Sequence, residues 1–144
     1  MVAGTTESRA RDPAHTREPT MIFVANSERR GRGIFAQRKI SKGETIEEVP
    51  VIVIPHSQIE HLDRTLLGDY YFVWGEDEED AAIALGLCSL CNHSYEPNAV
   101  FRLNRNKLTI EFVAALDIEA DKEITINYNG DPSSKKPIWF ECVD

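Results

Sequence analysis

The sequence predicts a mainly β fold, a β-rich α+β domain, and three observations carry that expectation. Short runs of Val, Ile, Thr and Phe recur at 22–24, 34–36, 45–54 and 103–112. Such β-branched and aromatic side chains suit a pleated, half-buried surface. Glycine or asparagine punctuates the gaps between the runs, where the chain must turn. Only 57–67 and 81–90 carry the apolar spacing of a helix.

Taken in order, residues 1–19 are polar, mixed in charge and without periodicity. They carry too little apolar surface to offset ordering, so a disordered leader is expected before a single domain over 20–144. Ile22-Phe23-Val24 opens the domain as a strand. Gly31 and Gly33 bracket a turn, and Ile34-Phe35-Ala36 resumes the extended chain. After a turn at Ser41-Lys42-Gly43, the run 45–54 is interrupted by Pro50, which lacks a ladder N–H and points to a sheet edge or a bulge. Residues 103–112 read as a hairpin turning at Asn104-Arg105-Asn106. A faint internal echo aligns Phe35-Ala36, Ile40 and Glu44-Thr45-Ile46 with Val113-Ala114, Ile118 and Lys122-Glu123-Ile124. Each copy reads as strand, tight turn, strand, with Gly43 or Asp121 where a positive φ is tolerated.

A chain of 144 residues buries one modest core. Its formal net charge is −8, and Glu76-Asp77-Glu78-Glu79-Asp80 concentrates part of that. The run reads as a solvated loop, because like charges repel, or as an acidic rim that attracts a Lys/Arg-rich tail. Direct nucleic-acid binding would need a basic footprint instead. No apolar run is long enough to span a membrane, and no signal peptide is visible, so a cytoplasmic protein is expected. Cys88, Cys91 and Cys142 are an odd set and read as reduced thiols. Cys88-x2-Cys91-x-His93 with Cys142 could supply four zinc ligands. The cysteines sit in an apolar stretch and behave there as small hydrophobes, so no metal is expected. Monomer and homodimer both stay open.

Three motifs carry the chemistry: Gly31-Arg32-Gly33-Ile34-Phe35-Ala36, Asn92-His93-Ser94-Tyr95-Glu96-Pro97-Asn98, and Glu123-Ile124-Thr125-Ile126-Asn127-Tyr128. Alone, the first is a turn whose glycines let backbone approach a ligand closely. In the second, Asn92-His93 follows an apolar segment and precedes Pro97-Asn98. The chain therefore leaves regular structure at a polar spot with backbone and amide groups free to bind. Tyr128 alone reads as a strand aromatic. In this order and spacing the three resemble the signature segments of the SET domain, the protein-lysine methyltransferase fold, over about residues 21–130.

That resemblance implies several small sheets and a C-terminal segment that threads under a loop as a pseudoknot, against the usual unthreaded rule. It implies S-adenosyl-L-methionine as cofactor, lined by Gly31, Arg32, Gly33, Asn92 and His93, with the His93 backbone near the adenine. It makes Tyr128 the catalytic tyrosine and a basic protein or peptide, such as a histone, the substrate. Asp69-Tyr70-Tyr71-Phe72 is similar to the segment that feeds the lysine channel in short SET proteins, which makes Tyr70 a wall residue. Trp139, with Phe140, would cover the adenine as a lid. The chain departs from the family's zinc-binding tail: Tyr95 stands where one ligand would be, and the C-x-C-x4-C run is missing. A SET-derived module that binds a basic tail without turnover is the alternative reading.

Overall fold

The computed structural model describes residues 20–139. The expected leader 1–19, together with Phe140 and Cys142, lies outside the described residues. Nine strands occur among them, β1 (Ile22–Ser27), β2 (Gly31–Ala36), β3 (Thr45–Ile54), β4 (Phe72–Trp74), β5 (Asp80–Ala84), β6 (Asn92–His93), β7 (Ala99–Asn104), β8 (Thr109–Ala114) and β9 (Glu123–Ile126). Helix α1 (His56–Asp63) and 3₁₀ turns at Leu66–Asp69 and Leu87–Leu90 complete the set. The strands form a four-stranded sheet, ordered β1-β2-β9-β6, and a five-stranded sheet, ordered β4-β5-β3-β8-β7. No helix among the described residues is long and apolar enough to cross a membrane.

The β1–β2 hairpin runs in register from Ile22↔Ala36 to Ser27↔Gly31. Its turn closes on Ser27, whose hydroxyl accepts the Arg30 N–H at 2.8 Å and donates to the Gly31 carbonyl at 3.0 Å. Gly31 takes a φ of +71°, which a side chain would resist. In the second sheet β3 serves two partners, pairing with β8 over 45–50 and with β5 over 51–54. Pro50 thus lies in the central strand, not at an edge as the sequence suggests. It sits where one ladder ends at Pro50↔Thr109 and the next begins at Val51↔Ala84, so its missing N–H falls at a junction. The register shift lies elsewhere in the strand, between Thr45 and Glu47.

The helical expectation for 57–67 is met by α1 and the turn after it, and Asp80 Oδ1 accepts the His56 N–H at the helix start at 2.9 Å. That for 81–90 is met only at its end, by the 3₁₀ turn Leu87–Leu90. Ala81 and Ala82 favour a helix by propensity, yet both are fully buried in β5, between β3 and β4. Burial between strands overrides the local preference. The expected hairpin forms from β7 and β8, but its turn falls over 105–108, with Leu108 at a φ of +54°. The Lys107 N–H donates to Asn104 Oδ1 at 3.0 Å and holds the turn.

The two echoed corners bond to each other. Ile40 and Ile118 exchange N–H···O bonds, both 2.8 Å. Around them Gly43 N–H donates to the Ala114 carbonyl and Asp121 N–H to the Ala36 carbonyl, again 2.8 Å each. Gly43 and Asp121 do adopt positive φ, +87° and +66°. Both isoleucines are buried in a core that also holds Ile34, Ile110, Phe112, Ile124 and Ile126. Each such side chain contributes roughly 1.5–3 kcal/mol by leaving water.

Candidate active site

Strand β9 brings the three motifs together. It lies between β2 and β6, antiparallel to the first (Ile34↔Ile124) and parallel to the second (Asn92↔Thr125, His93↔Ile126). Asn98 stitches the second motif to the third, because its Nδ2 donates to the Glu123 carbonyl at 2.8 Å and its Oδ1 accepts the Thr125 N–H at 2.9 Å. Ser94 N–H adds a bond to the Ile126 carbonyl at 2.9 Å. The four residues of β9 thus pass between two neighbours before the chain reaches Tyr128.

Tyr128 is then fixed at both ends. Its N–H donates to His93 Nδ1 at 3.0 Å, and its phenol donates to the Cys91 carbonyl at 2.7 Å. Because Nδ1 accepts, a neutral His93 carries its proton on Nε2. The imidazole is 2% exposed, with the rings of Tyr95 and Tyr128 edge-on at 4.5 and 5.2 Å. Its side chain is a structural support for Tyr128.

Gly33 is walled by the same motifs. A Cβ there would come within 2.5 Å of Glu123 Oε1 and 2.8 Å of Asn92 Nδ2. Asn92 Nδ2 donates to the Arg32 carbonyl at 3.1 Å and to Glu123 Oε1 at 2.7 Å. The structure therefore gathers Gly31, Arg32, Gly33, Asn92 and His93 along β2 and β6, flanking β9. A hollow of about 410 Å³ opens beside them, lined by Asn26, Ser27, Arg30, Phe35 and Glu123 among others. None of the five expected cofactor residues lines it.

The other expected residues meet in a larger cavity of about 820 Å³. Tyr70, Tyr128 and Trp139 line it with Tyr71, Phe72 and Phe101. Phe72 and Phe101 meet edge-to-face at 5.0 Å. Trp139 stacks on Tyr128, 5.8 Å between centroids at 21°, and its Nε1 donates to Asp69 Oδ1 at 3.3 Å. It is 62% exposed. Four carboxylates, Asp63, Asp69, Glu78 and Asp131, join the lining, which holds no Lys or Arg among the described residues. Burial, then the hydrogen bond to Asp63, raises the Tyr71 phenol above its ordinary range. The acidic run contributes Glu78 to this wall, while Glu76 pairs with Arg105 at 3.5 Å on the surface. Asp63, Asp131 and Phe101 escaped the sequence reading, since each comes from a different segment and none sits in a motif.

Cys88 and Cys91 are buried and free. The hydrogen bond between them, then burial, pushes the Cys88 thiol far up, so it stays protonated. Among the described residues no three His, Cys, Asp or Glu side chains gather as a metal cluster.

Comparison with known proteins agrees with this geometry. The SET domain family model matches residues 31–129. A Schizosaccharomyces pombe histone-lysine N-methyltransferase, specific for H3 lysine-37, is 33% identical over 121 residues, covering 83% of this chain and 77% of its own. A Plasmodium falciparum structure, described as a candidate histone methyltransferase, is 29% identical with a TM-score of 0.63, covering 77% of this chain and 95% of its own. A Polycomb repressive complex 2 structure from Chaetomium thermophilum, bound to S-adenosylmethionine, has a TM-score of 0.64 at 24% identity. It covers 77% of this chain and 15% of its own, and its likeness shows the fold. The motifs, their meeting at β9 and these relatives lead to one conclusion: the chain belongs to the SET-domain family of protein-lysine methyltransferases.

Proposed function

We propose that the chain transfers a methyl group from S-adenosyl-L-methionine to the ε-amine of a lysine on a basic, histone-like protein. The observation that carries the reading is the cavity around Tyr128, in which aromatic walls and four carboxylates occur without a basic side chain. A cationic target is attracted by such a wall. The aromatic faces of Tyr70, Tyr128 and Trp139 then strip water from it and favour the neutral amine. A free lysine titrates near about 10.4, so this loss of charge is a necessary step.

Tyr128 acts through its oxygen. Its O–H is committed to the Cys91 carbonyl at 2.7 Å, so what it offers the cavity is lone pairs. These accept an amine N–H and aim the nitrogen's own lone pair, which is the alignment that an in-line displacement needs.

The residues expected to hold the cofactor fit its amino-acid end. Both N–H groups of the Asn92 amide are used within the protein, and among the described residues nothing donates to its Oδ1. That oxygen is an acceptor for an α-ammonium. A Cβ added at Gly31 would meet nothing within 4 Å, so backbone there is open to a close ligand, and the exposed Arg32 guanidinium suits a carboxylate. When bound, the cofactor supplies an electrophilic methyl on a sulfonium. His93 offers backbone groups beside it, and Trp139 covers the site from the Tyr128 side.

Calorimetric titration with S-adenosylmethionine, sensitive to binding as weak as about 1 mM or roughly −4 kcal/mol, is the first test. One-to-one binding that is lost in Asn92→Ala, followed by labelling of basic proteins with radioactive methyl, supports the enzyme. Absence of binding transfers the reading to a module that holds basic tails without turnover.

A further inference from the structure

We infer that Glu123 is a positioning residue whose carboxylate sets the orientation of the Asn92 amide and so fixes an acceptor for the cofactor's ammonium group. The inference rests on the reading of Asn92 as a cofactor contact and extends it to a residue outside the expected set.

Four contacts converge on Glu123. Its Oε1 accepts from Asn92 Nδ2 at 2.7 Å, and its Oε2 pairs with Arg30 at 3.3 Å. Its backbone is held by β2 at Phe35↔Glu123 and by the Asn98 amide at 2.8 Å. Gly33 packs so closely that even a methyl group there would meet Oε1 at 2.5 Å. The side chain is 17% exposed, so it has little room to swing.

The consequence for Asn92 follows from donor and acceptor inventory. An asparagine amide can present either its oxygen or its NH₂ in a given direction, since the two have nearly the same shape. Glu123 and the Arg32 carbonyl are both acceptors, so they demand the NH₂ and turn Oδ1 the other way. Were the amide reversed, oxygen would face a carboxylate and a carbonyl, and a donor would face the incoming cation. A carboxylate is the stronger of the two anchors, because charge-assisted hydrogen bonds are roughly twice as strong as neutral ones. Arg30 in turn holds the second oxygen of the Glu123 carboxylate and limits its rotation.

The test compares S-adenosylhomocysteine with its deamino analogue, which keeps the adenosine and carboxylate but lacks the ammonium. Both are titrated calorimetrically into the full chain. Glu123→Gln should weaken S-adenosylhomocysteine about tenfold, or about 1.4 kcal/mol. It should change the deamino analogue less than about twofold, because that ligand makes no use of the acceptor. In an Asn92→Ala background the same substitution should add less than about twofold for either ligand. Equal weakening of both ligands by Glu123→Gln overturns the positioning role and leaves Glu123 a structural residue. Asn92→Ala that binds S-adenosylhomocysteine like the parent removes the underlying reading of Asn92, a separate failure. If Glu123→Gln lowers the melting temperature, Arg30→Met gives the second readout. It frees the carboxylate without removing it, and an ammonium-selective loss is again expected.

Discussion

The Tyr128 phenol donates to the Cys91 carbonyl at 2.7 Å, tying the end of the third motif to the residue just before the second. Removing the hydroxyl leaves the ring, its stack on Trp139 and its contact with His93 in place. Tyr128→Phe is therefore expected to lower kcat at least about tenfold, or about 1.4 kcal/mol of barrier. Cofactor Kd should stay within about twofold, and the unpaired carbonyl should cost about 1 kcal/mol of stability. Turnover equal to the parent's would take the tyrosine out of its assigned role.

Gly33 and Gly31 should respond differently to the same change. In Gly33→Ala the new methyl collides with Glu123 and Asn92, and overpacking of this kind costs about 1–3 kcal/mol. Cofactor affinity should fall with it. At Gly31 a Cβ finds open space but must accept a φ of +71°, which costs about 1–2 kcal/mol through backbone strain alone. Denaturant titration and calorimetry on the pair separate crowding from strain.

Trp139 is mostly exposed, so Trp139→Ala should cost little stability. Its stack on Tyr128 and bond to Asp69 place it over the cavity. Cofactor Kd is expected to rise about fivefold, or roughly 1 kcal/mol. A Kd unmoved in this variant would restrict Trp139 to the lysine side.

The carboxylate wall predicts a salt-sensitive encounter. For a basic peptide substrate, KM should rise with ionic strength as screening sets in beyond about 8 Å at 0.15 M. The double variant Glu78→Gln and Asp131→Asn should raise KM about fivefold at low salt and flatten the salt dependence. A slope identical to the parent's would show that these two groups do not guide the peptide.

Tyr71 gives a prediction in pH. Its phenol is raised above the ordinary 10.0 by burial and by Asp63. A raised folded-state value means the neutral form is favoured in the fold. The corresponding stability is fully present below the ordinary tyrosine range and is lost as pH rises through the raised value. Tyr71→Phe cannot ionise, so its denaturation midpoint should fall less steeply above about pH 10 than the parent's. Parallel alkaline limbs would show that Tyr71 contributes nothing there.

The motifs themselves were legible because they are short words in a fixed order. The strand that carries Asn92 and His93 pairs with β9, and His93 Nδ1 accepts the Tyr128 N–H, so the second and third motifs lie side by side. Positive φ at Gly43 and Asp121 was legible for a simpler reason, since few residue types tolerate it. What escaped depends on neighbours distant in sequence. Ala81 and Ala82 carry a helical preference that only the flanking strands β3 and β4 overrule. Pro50 looked like an edge because nothing local tells that β3 changes partner there. Glu123 was read as a letter of a motif, and its partners Asn92 and Arg30 lie far away along the chain.

The central place of β9 has a consequence for biosynthesis. Strands β2 and β6 do not touch in the sheet order; β9 fills the slot between them. During translation from the N-terminus, both flanks leave the ribosome well before their shared neighbour, and domains tend to fold as chain becomes available. The nascent protein must hold that slot open, or form it late, and Tyr128 emerges only after the strand that fills it. The bonds from Tyr128 to His93 and Cys91 therefore form only once β9 has been made.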